Sequence, residues 1–177
     1  MKLKFNIFFI ILFFVVTLQA QKQKNSLGIE LGGGGLAYSI NYERHFSEKI
    51  SLRLGFSFLS INERQTEKTL AVMSYPISVN YLINISGQKH FLETGIGAMN
   101  LITSGDLVEY KGVSDFFLNP FLKLGYRYSP TNNRWVYKIG LSPFLGTKSL
   151  THPTAQGFQL FGSETQIWGY VGMGYRF

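Results

Sequence analysis

The sequence predicts an all-β protein: an eight-stranded antiparallel up-and-down transmembrane β-barrel, preceded by a cleaved signal peptide. Three observations support this fold class. The chain begins with a basic and then apolar leader, and the remainder divides into eight segments in which apolar and polar side chains alternate. The charged side chains within those segments share the parity of the polar ones. Alternation with a period of two is typical of strands whose two faces meet different environments.

Residues 1–20 have the layout of a secretory signal peptide. Lys2 and Lys4 form a short positive region, an apolar run covers residues 7–18, and Ala20 precedes the expected cleavage point. The run is shorter than the ~20 residues that a spanning helix needs. We therefore expect export, cleavage after Ala20, and a single barrel domain over residues 21–177. The sequence contains no cysteine, so we expect no disulfide framework in this domain.

The chain is basic, and this limits its partners. Its formal net charge is +7, of which +5 remains after Lys2 and Lys4 are removed with the leader. The basic residues form no cluster or stripe in the sequence, so we predict no nucleic-acid partner. Phosphates of outer-leaflet lipid are a better counter-charge, and a solvated surface without a partner is the alternative. Three separated histidines and no cysteine provide no metal-ligand spacing, and we expect no cofactor.

Eight segments of the mature chain alternate in polarity and are separated by turn-rich breaks. In the last of them, Val171, Met173 and Tyr175 share one parity, while Gly172 and Gly174 share the other. The predicted strands are Leu27–Gly32, Leu36–Phe46, Ile50–Phe58, Thr69–Ile83, Phe91–Ile102, Asp115–Tyr128, Trp135–Leu145 and Gln166–Phe177.

Two closed barrels fit this pattern, and they are inside-out relative to each other. A soluble ligand-binding barrel places its apolar face inside, whereas a membrane barrel places it outside. An interior of eight strands is only just wide enough for side chains to fill. The apolar parity is mostly Leu, Ile, Val, Phe and Tyr, which is too bulky for that space. The opposite parity is rich in Gly, Ser and Asn, so we predict that it faces the lumen.

Charged residues within the segments favour the same orientation. One Arg or Lys that faces lipid at mid-membrane costs roughly 2–4 kcal/mol, so several on the outside would exceed the stability of the fold. We predict that they form an ion-pair network that fills the lumen, with placement of several of them at the wet rims as the alternative. The predicted network residues are Glu30, Glu43, Arg53, Glu93, Lys123, Arg127, Lys138 and Arg176.

The breaks alternate between short turns and long loops, which predicts the orientation. The short breaks are Ser47–Lys49, Asn84–His90 and Ser129–Arg134. The long breaks are Ser60–Lys68, Thr103–Ser114 and Gly146–Gln166. Short periplasmic turns and long outer loops would place both termini in the periplasm. The first break, Gly33–Gly35, is short although its place in the series predicts a long loop, and we interpret it as a tight hairpin. Outward aromatic residues gather near the short turns, as in an interfacial girdle.

The mature chain resembles the small outer-membrane β-barrel family of Gram-negative bacteria. Phrases such as Asn41–Phe46, Lys89–Gly95 and Gly174–Phe177 are of the kind found there. Gly172, Tyr175 and Phe177 resemble the C-terminal assembly signal of such barrels. The resemblance implies an outer-membrane location among outer-membrane lipids, lipopolysaccharide in particular. It also implies insertion by the barrel-assembly machinery after transit with periplasmic chaperones.

The family fold hosts adhesins, enzymes and structural proteins, so it implies no single activity. We expect a monomeric structural or surface-interaction protein that acts through its long loops, and not an enzyme. A lipid A acylase or deacylase and a small-solute pore are the alternatives. The enzyme would need His152 together with loop residues such as Ser149, Ser163, Glu164 and Asp106. Apolar loop residues that could contact a partner are Leu107, Val108, Tyr110, Leu150, Phe158, Leu160 and Phe161.

Overall fold

The computed structural model describes residues 24–62, 69–87, 89–105, 117–130, 133–145 and 166–177. They form one closed barrel in which each strand pairs with its neighbours in the sequence and the first pairs with the last. This confirms the predicted eight-stranded antiparallel up-and-down barrel. The strands are β1 (Asn25–Gly32), β2 (Tyr38–His45), β3 (Ile50–Asn62), β4 (Thr69–Ser86), β5 (His90–Gly105), β6 (Phe117–Tyr128), β7 (Trp135–Pro143) and β8 (Ile167–Arg176). The predicted leader, residues 1–20, lies outside the described residues.

Antiparallel pairing of β1 with β8 closes the barrel. Leu27 lies opposite Tyr175, and Ile29 lies opposite Met173. The ladder continues to the last residue, where the backbone N–H of Phe177 donates to the carbonyl oxygen of Asn25 at 2.9 Å. Because every strand therefore has two neighbours, the barrel leaves no unpaired sheet edge.

The two faces of the wall differ sharply in polarity. Leu54 and Phe56 of β3 are exposed, whereas Arg53 and Ser57, on either side of this pair in the sequence, are buried. The same alternation holds in β8, where Val171 is exposed and Gly172 is buried. The exterior is thus a wall of exposed aliphatic and aromatic side chains, and the interior is filled mainly by small, polar and charged ones.

β3, β4 and β5 are longer than the polarity pattern predicts. The predicted strands end at Phe58, Ile83 and Ile102, whereas the observed strands end at Asn62, Ser86 and Gly105. The register continues through pairs such as Asn62↔Thr69. Beyond Phe58 the apolar residues Leu59 and Ile61 fall on the parity opposite to that of Leu54 and Phe56. The outward apolar series therefore ends at Phe58, although backbone pairing, which needs no apolar face, continues.

The connection between β1 and β2 also differs from the prediction. Gly33–Gly35 form a buried 3-10 turn, and Leu36, predicted to begin a strand, instead adopts a φ of 67°. Its side chain is only 1% exposed. The turn folds into the barrel because glycines lack the side chains that would obstruct it: a Cβ on Gly34 would approach Phe121 Cζ to 2.8 Å.

No helix in the described part of the chain is long and apolar enough to cross a membrane.

Gly97 and Gly169 provide a matched test of how tightly the interior is packed. A Cβ on Gly97 would lie 2.5 Å from both the Ile77 carbonyl oxygen and Phe121 Cζ, whereas one on Gly169 would lie 4.0 Å from its nearest neighbour, the Gly140 carbonyl oxygen. We expect Gly97→Ala to lower the free energy of unfolding by about 1–3 kcal/mol through overpacking. Gly169→Ala should change it by less than about 0.5 kcal/mol. Urea titration measures both, and equal effects would contradict the close packing of the lumen.

Candidate functional site

The lumen is the candidate functional site because it holds seven of the fourteen charged side chains that the structure describes. The charged side chains enter from β1, β2, β3, β5, β6 and β7. Small residues such as Ser39, Ser51 and Ser78 lie between them and are also buried. Each charge sits on the inward parity of its strand, so the alternation of the sequence alone determines which of these side chains point inward.

A first ion cluster lies around Glu30 of β1. Its Oε2 atom lies 2.7 Å from Arg53 Nη1 and 3.0 Å from Lys123 Nζ. The two cations belong to β3 and β6, so this cluster joins strands from different parts of the wall. The Lys123 ammonium also lies 4.2 Å from the centre of the Tyr170 ring, a favourable cation–π geometry.

A second cluster surrounds Glu43 of β2, nearer to the short turns. Glu43 Oε1 lies 2.7 Å from Arg127 Nη1, and Oε2 lies 2.6 Å from Lys138 Nζ. The Ser51 hydroxyl donates to Oε1 at 2.6 Å. Glu93 Oε2 lies 3.5 Å from both Arg127 Nη1 and Lys138 Nζ, so the two carboxylates share the same two cations.

His45 caps the second cluster towards the short turns. Its Nε2 atom lies 3.0 Å from Arg127 Nη2 and 3.7 Å from Glu43 Oε1. The second His of this end, His90, faces outward instead, and its ring lies 5.2 Å from that of Tyr128. Among the described residues, His90 Nδ1 lies 2.5 Å from the Tyr126 hydroxyl, but neither His is placed between a hydroxyl nucleophile and a carboxylate. Within the described ranges, no group of three or more His, Cys, Asp or Glu side chains could hold a metal ion.

An apolar plug occupies the lumen on the other side of the Glu30 cluster. Leu36, which the glycine turn directs inward, packs there with side chains from near the loop ends of β4, β5, β6 and β7. The residues of this plug are Leu36, Val72, Met99, Leu101, Phe121 and Phe144. All six are at most 2% exposed. Their rings and chains interdigitate, as in the 5.5 Å contact between the centroids of Phe121 and Phe144.

Little space remains between the plug and the two ion clusters. One cavity of about 20 Å³ lies against Glu30, Glu43 and Lys138, and another of about 10 Å³ lies between Arg53 and Phe121. Each volume is close to the minimum needed for one water molecule. These two cavities therefore offer room for isolated waters and no space for a solute.

Seven of the eight predicted network residues come together in these two clusters, and Arg176 does not. Arg176 Nη2 donates to the carbonyl oxygens of Pro130 and Asn133, so it ties the end of β8 to the turn between β6 and β7. The parity argument also overlooked Arg44. It belongs to β2 but faces outward, next to the exposed rim, and is exposed to solvent.

The sequence reasoning missed the apolar plug altogether. Its signal was present in the parity, since Val72, Met99 and Phe121 continue the inward series that contains Ser74, Gly97 and Lys123. The contribution of Leu36 had no such signal, because it depends on a positive φ rather than on alternation.

The residues of the C-terminal motif lie where β8 meets β1 and β7. Gly172 faces the lumen opposite Glu30, and Tyr175 faces outward. The Arg134 guanidinium donates to the Tyr175 hydroxyl at 3.2 Å, and the Trp135 ring lies edge-on at 5.3 Å. The candidate enzyme residues Asp106, Ser149, His152, Ser163 and Glu164 lie outside the described residues, as do the apolar loop residues between 107 and 161.

Removal of the Glu43 charge tests how much the second cluster stabilises the barrel. Glu43→Gln leaves Arg127 and Lys138 buried with less compensating charge, so we expect the free energy of unfolding to fall by about 3–5 kcal/mol. Glu48→Gln, at an exposed position in the next turn, is the control and should change it by less than about 0.5 kcal/mol.

The double variant Glu43→Gln/Lys138→Met removes one charge of each sign and should recover part of the loss. Urea titration in the same solvent would compare all four proteins. A Glu43→Gln protein as stable as the parent would show that the cluster contributes nothing.

Comparison with known proteins relates the fold to solved structures only. No protein-family model matches the sequence, and no curated protein does. OprH of Pseudomonas aeruginosa is similar over 87% of this chain and 99% of its own, with a TM-score of 0.56 and 14% identity. Ail, the attachment invasion locus protein of Yersinia pestis, was solved with the heparin analogue sucrose octasulfate. It is similar over 86% of this chain and 96% of its own, with a TM-score of 0.53 and 13% identity.

The N-terminal β-barrel domain of Pseudomonas aeruginosa OprF is similar over 87% of this chain and 98% of its own. Its TM-score is 0.50 at 15% identity. At such low identities the likeness concerns the fold alone. The chain has the fold of the eight-stranded outer-membrane β-barrels, as its sequence predicts.

Proposed function

We propose that the protein is an integral outer-membrane β-barrel with a closed lumen. Its role is structural or one of surface interaction through the long connections, and its short turns face the periplasm. The observation that carries this proposal is the polarity of the wall, with aliphatic and aromatic side chains exposed around the whole barrel. The closed lumen then distinguishes this function from that of a pore.

The exterior is much more apolar than the surface of a water-soluble monomer. Ile29, Leu31, Ile96 and Val171 are each more than half exposed, at 56%, 61%, 62% and 57%. Exposed large apolar side chains occur on all eight strands, so the apolar surface is continuous rather than a local patch. Soluble monomers rarely expose apolar patches larger than a few hundred Å². A hydrocarbon environment is the physical reason for such a belt, since it removes the penalty of exposing it to water.

The content of the lumen argues against conduction. A conducting barrel needs a continuous polar path, and such channels occur in much wider barrels of about 16 strands. Here the described path is interrupted by the apolar plug around Phe121 and Phe144 and by the ion pairs of Glu30 and Glu43. Opening it would require breaking buried ion pairs. The barrel is thus better suited to hold its external connections in place than to pass solutes.

The described ends of the chain support the proposed orientation. Asn25 and Phe177 are hydrogen-bonded at the rim that carries the short turns. Trp135, Tyr137 and Tyr175 lie at the same rim and face outward. Short turns and both chain ends on the periplasmic side are typical of bacterial outer-membrane barrels.

Two isoleucines on the outer face test the membrane proposal at different depths. Ile29 lies in the middle of β1, whereas Ile50 is the first residue of β3 at the rim. In phospholipid vesicles, we expect Ile29→Arg to lower the free energy of unfolding by about 2–4 kcal/mol, and Ile50→Arg by about 0–1 kcal/mol. Chemical denaturation of the vesicle-inserted proteins measures both values.

The opposite result would be a mature protein that stays in solution without detergent and does not sediment with vesicles. That outcome would refute the membrane proposal. The closed lumen is tested separately in planar bilayers, where stable ohmic channels from the purified protein would refute it.

A further inference from the structure

Six exposed charged side chains are described at the end of the barrel that carries the short turns, and five of them are cations. Besides Glu48, every exposed charged side chain there is a cation. We call this set the basic rim, and it consists of Lys24, Arg44, Lys49, Lys89 and Arg134. Lys24 precedes β1, Arg44 lies near the end of β2, and the other three lie in the turns that precede β3, β5 and β7. Because antiparallel neighbours start and end together, all five positions lie at the rim that carries the short turns.

The backbone holds these cations at fixed places around the rim. The carbonyl oxygens of Lys24 and Lys49 accept hydrogen bonds from the N–H groups of His45 and Leu82, both at 2.7 Å. The carbonyl oxygens of Lys89 and Arg134 accept from the next strands in the same way, at 2.8 Å. Four of the five residues are therefore anchored to a neighbouring strand, while their side chains extend from the rim.

Aromatic side chains lie directly beside the basic rim, on the side of the apolar belt. Arg134 bonds to the Tyr175 hydroxyl and lies 5.9 Å from the centre of its ring. Arg44 faces outward, opposite Leu52 in the register. A belt of Tyr and Trp followed by Lys and Arg matches the depth at which hydrocarbon gives way to headgroup phosphates.

The three longer segments that connect β3 to β4, β5 to β6 and β7 to β8 have the opposite charge balance in the sequence. The three connections over 63–68, 106–116 and 146–165 carry six acidic and four basic residues. Five cations and one carboxylate lie on the short-turn rim. The basic character of the chain is thus not spread evenly, and the rim is where a negatively charged partner would be attracted.

We propose that the basic rim binds the phosphate groups of anionic phospholipids in the leaflet that surrounds the short turns. This inference rests on the proposed membrane insertion and adds a lipid preference to it. The cations are distributed around β1, β2, β3, β5 and β7 and form no single groove. A ring of separate headgroups can neutralise such a distribution, whereas one extended polymer would reach only one side of it. An anionic cell-wall polymer is therefore the alternative that the test includes.

The experiment measures which lipids surround the inserted barrel. The refolded protein is placed in vesicles of phosphatidylcholine and phosphatidylglycerol, and spin-labelled forms of each lipid report their relative association with the protein surface. We expect a preference for phosphatidylglycerol that weakens as salt is raised, because the charges are exposed. Arg44→Gln/Lys49→Gln/Lys89→Gln should reduce it, by up to about fivefold for each cation removed. Arg134 is retained because it also bonds to Tyr175.

A charge-matched control separates the rim from the overall charge. Arg64→Gln/Lys68→Gln/Lys148→Gln removes the same three charges from the other connections and should leave the preference unchanged. Circular dichroism and the gel mobility of unheated samples verify that each variant is folded. Equal losses in both variants, or normal insertion of the parent without any phosphatidylglycerol preference, would overturn the inference while leaving the membrane proposal intact. Failure of the parent to insert into any vesicle would refute the membrane proposal itself.

Sedimentation with purified cell-wall sacculi tests the alternative. If the rim variant loses sacculus binding but keeps the full phosphatidylglycerol preference, the rim is a cell-wall site and the lipid inference is wrong. If the parent does not sediment with sacculi while its lipid preference depends on the rim, the inference is supported.

Discussion

The width of an eight-stranded barrel is the constraint on which the rest of this structure depends. The interior holds side chains and almost nothing else, so each inward position must fit around those that face it. Gly97 has no side chain, and the Phe121 ring fills the space beside it. Gly125 and Gly140 likewise face the hydroxyl of Tyr170. Small residues on one strand are thus required by large ones on another, and the lumen is a packed core rather than an empty tube.

Within that space, charged and apolar contents are kept apart. Carboxylates and cations occupy the middle and the short-turn half, where Glu30 and Glu43 each contact two cations. The half nearer to the long connections is filled by hydrocarbon and aromatic rings. A buried charge is tolerable only with a partner, and a buried aliphatic chain needs none. The separation lets each half satisfy its own requirement, and the two cavities beside Glu30 and Arg53 are of water size.

Alternation in the sequence was sufficient to predict the strands, the closed barrel and the inward direction of residues such as Glu43 and Arg127. It could not predict which charges meet, because Glu43 and Lys138 are brought together by the curvature of the sheet and not by any spacing in the chain. It also failed at Leu36, whose inward direction depends on a turn of three glycines. Arg176 illustrates a further limit of prediction from alternation. Its inward parity was predicted correctly, but its partners are backbone carbonyl oxygens of a turn. Every residue type carries such an oxygen, so the sequence does not reveal the contact.

The large sequence separation between the ion-paired residues has a consequence for how the barrel closes. Glu30 and Lys123 are 93 residues apart, and Glu43 and Lys138 are 95 apart. Each pair spans the bore rather than joining neighbouring strands. In a half-formed, open sheet, these carboxylates and cations would lie in a low-dielectric medium without their ion-pair partners. Partly closed sheets are therefore less stable than the closed barrel. The ion-pair network makes closure cooperative: either β1 pairs with β8, or the whole sheet stays outside the membrane.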